Sequence, residues 1–176
     1  MIIPTLTTER LTLRAPRTTD FETYAAFRSD TLRMRWLGGA TGRAASWVHF
    51  AALPGQWLLR GYGRWIVTEI GDDTPCGLVG LYHPDSWSGP ELSWAMFGSA
   101  EGRGYAQEAS EAARRYAYEK AGITCLVSHI HAGNDRSNAL ARRLGATPAG
   151  TFDSEAFGAL IIWRHPGPAD LAGESQ

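Results

Sequence analysis

The run Glu101-Gly102-Arg103-Gly104-Tyr105-Ala106, directly before an alanine-rich stretch, holds the residue types best suited to chemistry. Glycine carries no Cβ, so at Gly102 and Gly104 the main chain can approach a ligand closely. The first turn of a following helix leaves N–H groups without intrahelical partners. Together with the positive end of the helix dipole, these suit an anionic phosphate. Arg103 can add a full charge there. A glycine pair ahead of a helix is also ordinary turn chemistry, so the loop alone names no ligand. No GxxxxGKS/T run occurs, and Gly102-Arg103-Gly104 lacks the third glycine and the acidic position of a dinucleotide fingerprint. HExxH, EF-hand, GxSxG and kinase patterns are missing as well. His129 and His131 share one strand face without a third ligand, so no metal is expected.

The elements that must position this loop can be read from periodicity. Arg10–Arg14 alternates as a half-buried strand, and Thr18, Thr19 and Asp20 are capping candidates for a helix carrying Phe21, Tyr24 and Phe27. Gly38, Gly39 and Gly42 precede a second helix over Ala44–Leu53, expected to stop at Pro54-Gly55. Trp36, Trp47 and Trp57 around that insert are candidates to line a cleft. Arg64–Ile70 and Gly77–Tyr82 make a hairpin, and Glu91–Phe97 is the next strand. From Tyr105 to Lys120, Ala106, Ala109, Ala113 and Ala117 recur at helical intervals, a small face for close packing on a sheet. A strand over Thr124–Ile130, a helix from Asn134 or Asp135 to Leu144 capped by Gly145, and strands near Thr147–Phe152 and Phe157–Arg164 follow. The fold class is α/β (α+β), a single mixed, mostly antiparallel sheet of about seven strands with helices on both faces.

With 176 residues, the chain is long enough for one domain with its own core, read as 1–165 followed by a flexible C-terminal tail 166–176. Lys plus Arg number 17 against 18 Asp plus Glu, so there is no cationic surplus for nucleic acid or an anionic membrane. Cys76 and Cys125 show no paired spacing and read as buried free thiols, which with the absence of an N-terminal signal pattern points to a cytoplasmic setting. The longest apolar stretch, Ala159–Trp163, falls far below the roughly 18 residues of a membrane span.

Taken in order, the strand, the E-G-R-G-Y-A loop, the alanine-rich helix, the next strand, Asn134-Asp135-Arg136-Ser137-Asn138 and Arg143-Leu144-Gly145 resemble the GNAT superfamily of N-acetyltransferases. Thr8–Arg14 followed by Asp20-Phe21 is similar to the start of its ribosomal-protein N-terminal acetyltransferase branch, and the likeness spans about Thr8 to Arg164. This resemblance implies acetyl-CoA as co-substrate, bound where two central parallel strands splay apart. Gly102, Arg103, Gly104, Tyr105 and Ala106 would then hold the pyrophosphate, although Glu101 stands where the family has Gln or Arg. Asn134 would bond the pantetheine arm, and Ser137 would lie near the thiol; with Ala141 standing where many members have tyrosine, Ser137 or a bound water would serve as the acid if one is required. An ammonium must lose a proton before attack, and Glu91 is the candidate base. Main-chain N–H groups over Trp94, Ala95 and Met96 would polarise the thioester carbonyl. The implied activity is acetyl transfer to a primary amine of a protein N-terminus or small molecule, and a homodimer stays open. A non-catalytic acyl-CoA-binding or sensing domain is the rival, since it would keep the amide loop and need no base.

Overall fold

The computed structural model describes residues 2–87, 89–155 and 157–173. Its strands are β1 (Leu6–Thr7), β2 (Leu11–Arg14), β3 (Arg64–Glu69), β4 (Asp72–Tyr82), β5 (Glu91–Met96), β6 (Val127–His131), β7 (Thr147–Ser154) and β8 (Gly158–Arg164). They form one eight-stranded sheet in the order β1-β2-β3-β4-β5-β6-β8-β7. The pair β5–β6 is parallel, and the other neighbours are antiparallel. The extra strand beyond the expected seven is the two-residue β1, too short to leave a period in the sequence.

Helix α4 (Tyr105–Glu119) lies on one face of the sheet, with Ala109, Ala113 and Ala117 fully buried among Leu11, Trp65, Val79 and Leu92. The alanine stripe brings α4 close to the strands, as the periodicity requires. On the opposite face α1 (Phe21–Ser29) and α3 (Arg43–Arg60) pack Phe21, Tyr24, Phe50 and Leu53 over Ile66, Leu78 and Phe97. The short α2 (Thr31–Met34) follows α1, and α5 (Asp135–Arg143) follows β6.

Three expectations need correction. Helix α3 does not stop at Pro54 but runs through it to Gly61, whose φ of 76° ends it. An interior proline costs roughly 3 kcal/mol. Phe50, Leu53 and Trp57 are buried on one side of that helix, at about 2 kcal/mol each, so packing outweighs the break. The strand expected from Thr124 begins only at Val127, which leaves Cys125 exposed, while Cys76 is buried and its thiol is pushed up to about 11 by that burial. Where the sequence reads as a fraying tail, Pro168–Gly173 forms the short helix α6, and the Tyr118 hydroxyl donates to the Pro166 carbonyl at 2.6 Å. Residues 174–176 lie outside the described residues. No helix among the described residues is long and apolar enough to cross a membrane, and none of them form a three-ligand metal cluster.

Candidate active site

β5 and β6 share one registered pair, Glu91 with Val127, and then part. Successive N–H groups along a strand point to opposite edges. Phe97 N–H donates to Cys76 O at 2.8 Å on the β4 side, so the amides of Trp94 and Met96 point away from β4 into the gap. Two side chains latch the vertex. On the α4 face, the Ser128 hydroxyl donates to Leu92 O at 2.5 Å and receives His165 Nε2–H at 2.8 Å. On the other face, Glu91 Oε2 accepts from His129 N–H at 3.3 Å and from His129 Nδ1 at 2.9 Å.

The gap opens into a cleft of about 740 Å³ whose walls include Trp94, Ala95, Met96, Asn134, Ser137 and the start of α4. Left-handed glycines shape that start, with φ of 78° at Gly102 and 81° at Gly104. Gly104 is the N-cap residue of α4 and offers no side-chain cap, so the first-turn amides of Tyr105, Ala106 and Gln107 have no acceptor among the described residues. The other helices nearby are closed. Asn134 Oδ1 accepts Ser137 N–H at the start of α5, and Asp30 Oδ1 accepts Leu32 and Arg33 N–H at the start of α2.

Charge around the cleft is cationic. Arg33, Arg35, Arg136 and Arg143 line it against the single carboxylate of Glu101. Glu101 is itself held by Arg136 and, at 3.2 Å, by Arg33 Nε, so its charge is compensated in place. Arg103 turns away instead of joining them. Its Nη2 donates to Glu69 at 3.1 Å, the Tyr105 hydroxyl donates to the same oxygen at 2.8 Å, and Arg103 is not among the residues lining the cleft. The cations that line the cleft are instead four that the folded chain supplies from α2, α5 and the segment after α2, none of which the loop motif names.

Asn134 spends its carbonyl oxygen as the α5 cap and keeps its amide N–H groups for the cleft. Ser137 Oγ accepts from Trp94 Nε1 at 3.3 Å, which leaves the hydroxyl hydrogen to donate elsewhere. Ala141 is buried in the core beside Trp163. Glu91 is not a wall of the cleft. It is only 7% exposed at the vertex, and burial raises its carboxyl pKa, with the His129 hydrogen bonds acting the other way. His129, read from sequence as an ordinary strand residue, is packed under Trp87 and Phe152 at ring separations of 4.2 and 5.1 Å. Of the three insert tryptophans, Trp36 lines the cleft and stacks on His131 at 4.3 Å, Trp57 is core, and Trp47 is exposed on α3. Gly38 lies against Phe157, so the loop after α2 meets the β7–β8 loop on the Glu91 face.

An uncapped helix start, a positive rim and two strand amides facing a parted sheet thus surround one cleft. The family model described as Acetyltransferase (GNAT) domain matches residues 10–147. An acetyltransferase structure from Agrobacterium tumefaciens is 32% identical, with a TM-score of 0.86 over 94% of this chain and 96% of that one. RimL, a ribosomal L7/L12 alpha-N-protein acetyltransferase solved with coenzyme A, is 16% identical with a TM-score of 0.75, covering 95% of this chain and all, 100%, of its own. The aminoglycoside acetyltransferase AAC(6')-Ib, also with coenzyme A, is 15% identical with a TM-score of 0.78 over 94% and 99% of the two chains. The last two share the fold alone. The chain belongs to the GNAT acetyltransferase family, whose acyl donor is acetyl-CoA.

Proposed function

We propose that this protein transfers the acetyl group of acetyl-CoA to a primary amine, on a peptide N-terminus or a small molecule. The observation that carries the reading is the set of unpaired amides at Tyr105, Ala106 and Gln107, which faces the same cleft as the parted strands. These donors, with Arg136 and Arg143, suit a diphosphate, because main-chain N–H groups and guanidinium forks both match phosphate oxygens. Asn134 offers its amide to the pantetheine arm.

The thioester supplies an activated acyl carbon, and this chain's groups manage charge and protons around it. The amides of Trp94 and Met96 stand ready for the negative charge that develops on the carbonyl oxygen, a contribution of about 3 kcal/mol per well-placed donor. Glu91 takes the proton that the ammonium must lose, through a water, since its carboxylate sits behind the cleft at the vertex. Its raised pKa makes it a stronger base than an exposed carboxylate. His129, donating to Glu91 through both N–H groups, fixes the carboxylate. Ser137, whose oxygen accepts from Trp94, relays a proton: it gives its hydroxyl hydrogen to the departing thiolate and regains one from the attacking nitrogen as the amide forms.

The test is direct. Acetyl-CoA is expected to raise the melting temperature, and free thiol is expected to appear when amines are added. Acetyl-CoA binding with no thiol release from any peptide or small amine would make this a sensor and end the transferase reading.

A further inference from the structure

The acceptor's chemical class is written on the sheet face opposite α4, a step that rests on the transferase reading above. Registers place Arg64 opposite Gly80, Gly80 opposite Ser93, and Tyr82 opposite Glu91, so Arg64, Tyr82, Ser93 and Glu91 share that face. The Arg64 guanidinium lies 4.4 Å over the Tyr82 ring. Among the described residues it has no ion pair and no hydrogen bond; it is half-buried, and burial pulls its pKa down. Arg28, nearby on α1, also lacks a carboxylate. Its Nη2 donates to His49 Nδ1 at 2.8 Å, and burial, together with the Arg28 and Arg64 charges, lowers the pKa of that imidazole.

Neighbouring arginines are treated differently. Arg14 has Asp20 at 2.8 Å, Arg33 has Asp30 at 2.6 Å, and Arg43 has Glu22 at 2.6 Å. The one carboxylate close to Arg64, Glu91, is already engaged by His129. A half-buried guanidinium without a counter-ion gains when a bound group brings the anion, in a bidentate pair with carboxylate or phosphate. β3 lies two strand spacings from β5, roughly 10 Å, and an arginine side chain spans over half of that. An amine held at the gap can therefore reach Arg64 with an anion a few bonds away.

We infer that the acceptor is an anionic amine, carrying a carboxylate or phosphate that Arg64, backed by Arg28, receives on the face opposite α4. Matched pairs test this by thiol release. Glu-Ala-Ala amide is compared with Gln-Ala-Ala amide, and aminoethyl phosphate with ethanolamine; the two pairs separate carboxylate from phosphate. The acidic member of at least one pair is expected to show a KM lower by about tenfold, with kcat within about twofold. Arg64→Gln should erase the difference between members, and Arg64→Lys should restore part of it. The lysine variant also serves if the glutamine variant does not fold, as judged by acetyl-CoA binding. Equal or better use of the neutral members, or an Arg64→Lys change that raises KM alike for both, overturns the inference and leaves the transferase reading standing. No thiol release from any amine, with acetyl-CoA binding intact, overturns both.

Discussion

On the α4 side of the gap the groups proposed to serve the reaction are main-chain amides, held in place by two left-handed glycines. On the opposite side they are side chains, Glu91 with His129, Arg64 on Tyr82, and Trp36 on His131. A main-chain site tolerates changes of side chain. Glu101 shows this, since an acid at a position where the family has Gln or Arg is compensated by Arg33 and Arg136 while the amides stay exposed. A side-chain site has no such reserve, and each residue sets what it accepts. The first half therefore tolerates substitution of its side chains, while the second does not.

That contrast can be broken or sharpened in several ways. Glu91→Gln should lower kcat by about a hundredfold and leave acetyl-CoA affinity unchanged, because it removes the proposed base and none of the amide donors. The parent rate should rise with pH through the raised Glu91 pKa and then level off, and that limb should vanish in the variant. A folded-state pKa above the unfolded one stabilises at low pH and is lost as pH rises through it, so Glu91→Gln should melt no lower than the parent at neutral pH. If the variant keeps the parent pH profile, Glu91 is not the base.

Gly104→Val addresses the other half. At φ of 81° a branched side chain is strained by at least 1–2 kcal/mol, so acetyl-CoA KM should rise about tenfold or more with kcat little changed. Titration of the variant with acetyl-CoA checks it, and unaltered affinity would remove the loop from the site. Ser137→Ala should cost less, a severalfold fall in kcat at unchanged KM, because water can replace a hydroxyl donor. The smallest effect concerns the vertex. Burial, with Arg114 nearby, depresses His165 to about 3, so the unfolded chain binds its proton first. Stability is present above about 6.5 and is lost as pH falls from there toward the folded value, at up to about 1.4 kcal/mol per pH unit. Melting curves of His165→Gln between pH 7 and 5 should be flatter than the parent's.

The order of elements was legible because alternation at Arg10–Arg14 and alanine spacing over Ala106–Ala117 are local patterns with one structural solution each. The amide loop was legible for the same reason, since Gly102 and Gly104 state their backbone needs directly. Helix α3 was misread because the proline signal at Pro54 is local, whereas the burial of Phe50, Leu53 and Trp57 that overrides it is tertiary. The pairing of Arg103 with Glu69 was not legible, because that partner lies on a strand 34 residues away. His129 and Arg64 carried no signal at all. Strand register places them near Glu91 and, among the described residues, leaves one of them without an anion.

Since the ladder between β5 and β6 ends after its first rung, the sheet is mechanically a five-strand leaf and a three-strand leaf pinned at one point. The protons on Trp94 and Met96 nitrogen face the opening between the leaves, so their deuterium uptake is a built-in gauge, fast when the leaves stand apart and slow once a thioester arm lies between them.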